Sequence, residues 1–230
     1  ILLGLTIFPT TLDAYESTMA NMNTASNLES NLMVFNIGHR FYGDVTEDSL
    51  DTFFGTTQGA EVGMFMRYKL TESIEVDTGY IGKRRAYYVG LAYSFSMIKN
   101  LISEVRVQGE TKKENILVER ENHVFASLEN SLSFGRINCH ANLHALNEKP
   151  AASFGLSAMA LGDSYLFTEF YPGLKGFGAK HVFGVQLDTF GHQFQVTLQN
   201  AVGQLERHLL VAKPFDHYAV GFNIKRLFEI

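Results

Sequence analysis

The chain has 230 residues, 46% of them hydrophobic and 19% charged, with a formal net charge of −5. No run approaches the roughly 20 apolar residues that a membrane-crossing helix needs. The mild acidity and the lack of a Lys/Arg cluster exclude nucleic acid as a partner. A single cysteine, Cys139, excludes an internal disulfide and any Cys-x-x-Cys site, and reads as a small hydrophobe in a strand.

Residues 1–30 are polar, rich in Asn, Thr, Ser and Met, and carry no regular alternation. They form a non-barrel N-terminal segment with three roles open to it: a plug, a periplasmic extension, or a dock for a partner. From residue 31 to residue 230 the dominant signal is period two, that of strands with two chemically different faces. An opening strand falls near Leu32–Tyr42. Next, Ala60, Val62, Met64, Met66 and Tyr68 alternate with Glu61, Gly63, Phe65, Arg67 and Lys69, and Ile74, Val76 and Thr78 with Glu75, Asp77 and Gly79. The same pattern sets Tyr87, Val89 and Leu91 against Tyr88 and Gly90, and Val105 and Val107 against Glu104 and Arg106. It is clearest over Leu117 to Phe134, where Val124, Ala126, Leu128 and Leu132 oppose His123, Ser127, Glu129 and Ser131. Cys139, Ala141 and Leu143 then oppose His140, Asn142 and His144, and Phe154 and Leu156 oppose Ser153, Gly155 and Ser157. A less regular strand near Tyr165–Tyr171 is followed by Val185 and Leu187 against Gln186 and Asp188. Val196 and Leu198 then stand against Gln195, Thr197 and Gln199, and Val220, Phe222 and Ile224 against Gly221, Asn223 and Lys225. The count is about twelve.

Three features favour a membrane barrel over a soluble sandwich. Short connections (71–73, 98–100, 135–136, 162–164, 190–191) alternate with longer ones (43–59, 111–121, 172–180, 201–216), as in outer-membrane barrels. Strand ends on the apolar face carry Tyr68, Tyr80, Tyr87, Phe134, Tyr218 and Phe228, where interfacial girdles belong. The polar face carries charge in strand after strand, which a sandwich would leave on two open outer faces. The expected fold is therefore all-β: a transmembrane up-and-down antiparallel barrel of about 12 strands, in the bacterial outer membrane and in contact with its lipid. Leu91, Val107, Leu128, Leu143, Leu156, Val185, Val196 and Phe222 should face the lipid.

The candidate lumen-lining residues are Arg40, Glu61, Arg67, Lys69, Glu75, Asp77, Glu104, Arg106, Glu129, His140, His144 and Asp188. The runs Lys83-Arg84-Arg85 and Lys112-Lys113 read as solvated turn and loop charge. His140 and His144 share a strand face, but residues four apart on a strand lie roughly 13 Å apart. Neither a metal nor any other cofactor is expected. Membrane lipases place Ser, His and Asn on the lipid-facing side of such barrels. Here most histidines fall on the polar face; His39 stands on the apolar face with Phe35, Ile37 and Phe41 but no nucleophile near it in sequence, and Ser103 could approach it only from another strand, so the chain is read as a non-enzyme. Two readings remain. The leading one is a narrow porin-like channel for small polar solutes. The other is a non-conducting barrel that anchors or scaffolds an envelope protein complex through its N-terminal segment and long loops.

The segment Phe35-Asn36-Ile37-Gly38-His39-Arg40-Phe41, followed by Phe53-Phe54-Gly55, resembles the first strand of a Bacteroidetes-type outer-membrane β-barrel family of unknown function. Gly221-Phe222-Asn223-Ile224-Lys225-Arg226-Leu227-Phe228 resembles its last strand, and Glu169-Phe170-Tyr171-Pro172 a stretch between them. Tyr15-Glu16-Ser17-Thr18-Met19-Ala20 is similar to the family's segment before the barrel, without the basic residues that usually end it. The resemblance implies the barrel fold and the outer-membrane location. It implies no activity.

Overall fold

A computed structural model of the chain describes residues 18–25, 28–47, 59–113, 120–146, 149–174 and 176–230. Twelve antiparallel strands run in chain order: β1 (Leu32–Phe41), β2 (Ala60–Lys69), β3 (Ile74–Ile81), β4 (Ala86–Ile98), β5 (Leu101–Lys112), β6 (Glu121–Phe134), β7 (Ile137–Leu146), β8 (Lys149–Met159), β9 (Ser164–Tyr171), β10 (Lys180–Thr189), β11 (His192–Gln199) and β12 (Ala219–Glu229). Each pairs with its sequence neighbours, and β1 closes the ring on β12 in the register Leu32↔Glu229 to Arg40↔Gly221. Closure leaves no edge, so the strands satisfy their backbone groups without water. One six-residue helix, α1 (Glu206–Val211), lies in the connection between β11 and β12.

The expected alternation of connections holds in part: on the side of the long loops, four residues join β3 to β4 and two join β7 to β8, as short as the turns on the other side. Tight turns join β2 to β3, β4 to β5, β6 to β7, β8 to β9 and β10 to β11, and both ends of the barrel lie on that same side. Gly135 (φ +62°) and Gly191 (φ +71°) occupy left-handed positions in two of these turns, a conformation that costs glycine little. We call this end the turn side and the other the loop side. In outer-membrane barrels the short turns are periplasmic.

Period two sorts the faces. Leu91, Val107, Leu128, Leu143, Leu156, Val185 and Val196 are all exposed on the outside of the ring, where the lipid is. Phe222 shares that face but is half-covered, because the His39 ring stacks on it at 4.9 Å and Phe41 leans in at 6.2 Å. Inside, the buried residues are mostly polar or charged, the inverse of a soluble core. Of the regions read from the sequence, residues 1–17, the Phe53-Phe54-Gly55 motif and the beginning of the 117–134 alternation lie outside the described residues.

Candidate functional site: a lumen filled from both ends

The charged wall runs across β2 to β6. Arg106 is its centre, and its guanidinium reaches Asp77 at 2.6 Å, Glu75 at 2.8 Å and Glu129 at 3.1 Å, and also bonds Glu104. Arg67 Nε meets Glu75 at 2.9 Å. Lys69 Nζ donates to Ser94 at 2.8 Å, and Ser94 in turn donates to Glu104 at 2.6 Å. A delocalised guanidinium with five donors in a fixed fork suits this many-sided pairing. Glu61, at the loop end of β2, takes Arg84 from the β3–β4 turn at 2.8 Å. Lys83, Arg84 and Arg85 are therefore not uniformly solvated, since Arg84 turns inward.

The rest of the lumen is occupied by the chain itself. From the loop side comes the 201–211 stretch. Arg207 and His208 of α1 both bond Glu110 on β5, His208 at 2.9 Å, and Arg207 also donates to Gln108 at 3.1 Å. The Arg207 guanidinium sits over the Tyr88 and Phe125 rings at 4.9 and 5.0 Å. Glu206 accepts from His144 at 3.1 Å, from Asn142 at 3.0 Å and from Ser153. Leu209 and Leu210 pack with Phe167, Tyr171, Val182 and Ala201.

From the turn side comes a hairpin, Thr18 to Ala25. A Met19 N–H bond to the Met22 carbonyl (2.9 Å) and a Thr18↔Asn23 bridge close it. Wall side chains bind its main chain. Glu169 accepts from the Asn21 and Met22 amides at 2.9 and 3.2 Å. Arg40 donates to the Ala20 carbonyl at 3.1 Å and to the Asn21 side chain at 2.8 Å. Asn223 donates to the Ala20 carbonyl at 3.0 Å, Lys225 to the Thr18 and Met19 carbonyls, and Ser131 accepts from Ala25 at 3.0 Å. The two inserts meet in the middle. Glu206 accepts from the Asn23 amide at 3.1 Å, and Asn142 bonds both the Asn23 carbonyl and Glu206. Beside them remain cavities of about 20 and 10 Å³.

Arg40, Glu61, Arg67, Lys69, Glu75, Asp77, Glu104, Arg106, Glu129 and His140 are buried within the ring. Eight of these make the wall just described or hold the hairpin, and Glu61 secures the β3–β4 turn. His140 bonds Ser131 at 2.9 Å, while His144 reaches the loop helix. Asp188, nearer the turn side and partly exposed, accepts from Gln186 (2.8 Å) and Gln193 (3.3 Å). Sequence reasoning missed Glu110, Glu169 as a peptide acceptor, Glu206, Arg207, Asn223 and Lys225. The signal that could have found the inserts is glycine on the inward face. A Cβ on Gly155 would lie 2.4 Å from Met19 Sδ and 2.9 Å from Met22 Sδ, and one on Gly38 would lie 2.3 Å from Gln204 Oε1. The wall is hollowed where each insert sits.

No group of histidines, cysteines and carboxylates among the described residues is arranged to hold a metal ion. Ser153, His144 and Glu206 are close, but serine and carboxylate both contact His144 Nε2, so the ring does not relay between them. On the lipid face Ser103 bonds Asn130 at 2.9 Å, four strands away from His39.

Residues 15–103 match the model of a family described as a membrane bound beta barrel domain (DUF5777). No curated protein matches the chain by sequence. Among solved structures, a KdgM porin superposes with a TM-score of 0.56 at 8% identity, covering 86% of this chain and 99% of that one. Omp33, an outer membrane protein of Acinetobacter baumannii, gives 0.51 at 10% identity, covering 87% and 99%. An outer membrane phospholipase A from Escherichia coli gives 0.52 at 8% identity, covering 86% and 92%. These likenesses carry the fold: this chain is a bacterial outer-membrane β-barrel set in lipid. They also correct one expectation. The sequence was read as that of a non-enzyme, yet a phospholipase shares the fold, so that exclusion is withdrawn.

Proposed function

We propose that the chain is a porin-like channel for small polar solutes that is closed in its folded resting state. The observation that supports this is the division of labour inside the ring. The β2–β6 wall pairs its own charges, but the rest of the lumen is shut by two inserts rather than by the wall. Arg40, Asn142, Glu169, Asn223 and Lys225 direct hydrogen bonds to those inserts, and Gln186, Gln193, Gln195 and Gln199 line the remainder. With the inserts aside, a polar lumen remains. Twelve strands fall between the eight that side chains alone can fill and the 16–18 that leave a wide aqueous channel. The second reading is a permanently closed barrel that anchors an envelope protein complex, and closure from both ends favours it.

Planar-bilayer recording of the purified full chain tests the choice. A mostly closed baseline broken by openings of weak ion selectivity is expected, because the self-paired ladder adds little net field. A flat baseline from the wild type and from the Gly38→Leu/Gly155→Leu double variant, in which both inserts lose their seats, would leave the anchor reading standing.

A further inference from the structure

We propose that the lumen contains a binding site for the main chain of an uncharged tight-turn peptide, occupied in cis by the Thr18–Ala25 hairpin, and that emptying this site from the turn side is what opens the barrel. The proposal rests on the closed-channel reading and adds to it which insert leaves first, what holds it and from which side.

The two inserts share one apolar cluster but differ in their polar contacts. The loop insert is fixed by the Arg207–Glu110 ion pair, by hydrogen bonds of His208 with Glu110 and of Glu206 with His144, and by Leu209 and Leu210 in the apolar cluster. Removing it would strand Glu110 and His144 in the wall without the partners it supplies. The hairpin sequence, Thr-Met-Ala-Asn-Met-Asn-Thr-Ala, contains no charged residue. Wall groups bond its main-chain amides and carbonyls and the Asn21 side chain. Such groups exchange wall partners for water at small net cost, since an intramolecular hydrogen bond contributes only about 0.5–1.5 kcal/mol. Its apolar fit is Met19, Ala20 and Met22, which pack over Gly155 and in the same cluster as Leu209 and Leu210, so withdrawing the hairpin also strips packing from the loop insert. The charges exposed behind the hairpin, Arg40, Glu169 and Lys225, favour a wet lumen over an empty one.

Both arms of the hairpin run toward the turn side. On β12 the tip carbonyl of Ala20 meets Asn223, while Thr18 meets Lys225, one step nearer the turns. On the opposite wall Asn23 meets Asn142, while Ala25 meets Ser131, level with His140 and again one step nearer the turns. Thr18 and Ala25, the two ends of the hairpin, therefore both lie nearer the turn side than its tip. A pull from the turn side withdraws the hairpin without threading it past the loop helix.

The test uses the full chain carrying Met22→Asp, which puts a carboxylate against Gly155 and leaves every wall residue unchanged. Open probability should rise by about a hundredfold or more, the scale set by burying an unpaired charge. A cysteine at the hairpin tip (Ala20→Cys) should become reactive to a membrane-impermeant maleimide. A synthetic peptide of residues 18–25, added to the turn-side chamber, should restore closure. The same peptide on the loop side, or a scrambled one on either side, should not. Gly155→Leu is the second route to the same state and should respond alike. If the openings appear but the peptide closes the barrel from neither side, there is no separable binding site and the proposal falls. It also falls if the tip cysteine reacts while the barrel stays silent, or if both variants leave the tip protected. Should Gly38→Leu, which unseats the loop insert, conduct while both hairpin variants are silent, the channel reading survives and the gate is misassigned. Silence in all three ends both.

Discussion

Arg106 shows what single residues do inside this barrel. It is buried and surrounded by Glu75, Asp77, Glu104 and Glu129, and with Arg67 and Lys69 it sets three cations against four carboxylates. Arg106→Gln would leave those carboxylates facing one another away from water, and breaking a buried pair costs about 3–5 kcal/mol. Urea unfolding of the lipid-reconstituted protein should show that loss. Arg106→Lys should recover only part of it, because a point charge on a flexible stem cannot meet four acceptors at once. Glu129→Gln should be milder than either, since it removes one anion from an anion-rich cluster and keeps an acceptor for Arg106. The alternation of residue types assigns these charges to one face. It does not say which partner each takes, because pairing depends on register between strands that are up to 31 residues apart in sequence, as Arg106 and Glu75 are.

At the scale of elements, the strands were legible and the inserts were not. A strand between lipid and lumen has a period of two whatever its neighbours are, so the pattern around Leu128 reads directly from the residues. Leu128→Arg on that outer face should cost about 2–4 kcal/mol if the residue lies near the bilayer midplane, measurable as a weaker folding free energy in lipid vesicles. The 201–211 stretch has no such pattern. Its helix is six residues long and buries Glu206, Arg207 and His208 alongside Leu209 and Leu210, so no apolar stripe marks it. It reads as an external loop because what makes it internal is Glu110, nearly a hundred residues away. The first 30 residues left plug, extension and dock equally open, since an uncharged hairpin held by wall side chains carries its reason for folding in those walls. Glycine at 38 and 155 was the visible trace, legible only as gaps in an otherwise polar row.

For the molecule as a whole, closure of β1 on β12 puts both barrel ends on one side of the membrane, with the turns that join β2 to β3, β4 to β5, β6 to β7, β8 to β9 and β10 to β11. A cysteine replacing the exposed Glu47 should be labelled by impermeant maleimide on intact cells, and one replacing the exposed Lys99 should not; the opposite result would invert the barrel in the membrane. Protease on intact cells should spare 201–210, although that stretch belongs to a long loop, because it is buried inside the ring. The direction of the hairpin arms also has a consequence in time. The hairpin precedes β1 and enters from the side on which the barrel ends, so no part of it has to be in place when the ring closes. That closing pair joins residues nearly 200 positions apart, the kind of contact that forms late and slowly. Refolding should therefore pass through a closed but unfilled ring, with strand content complete before a cysteine at Ala20 is protected from labelling. Protection that kept pace with strand formation would mean the barrel closes around its occupant instead.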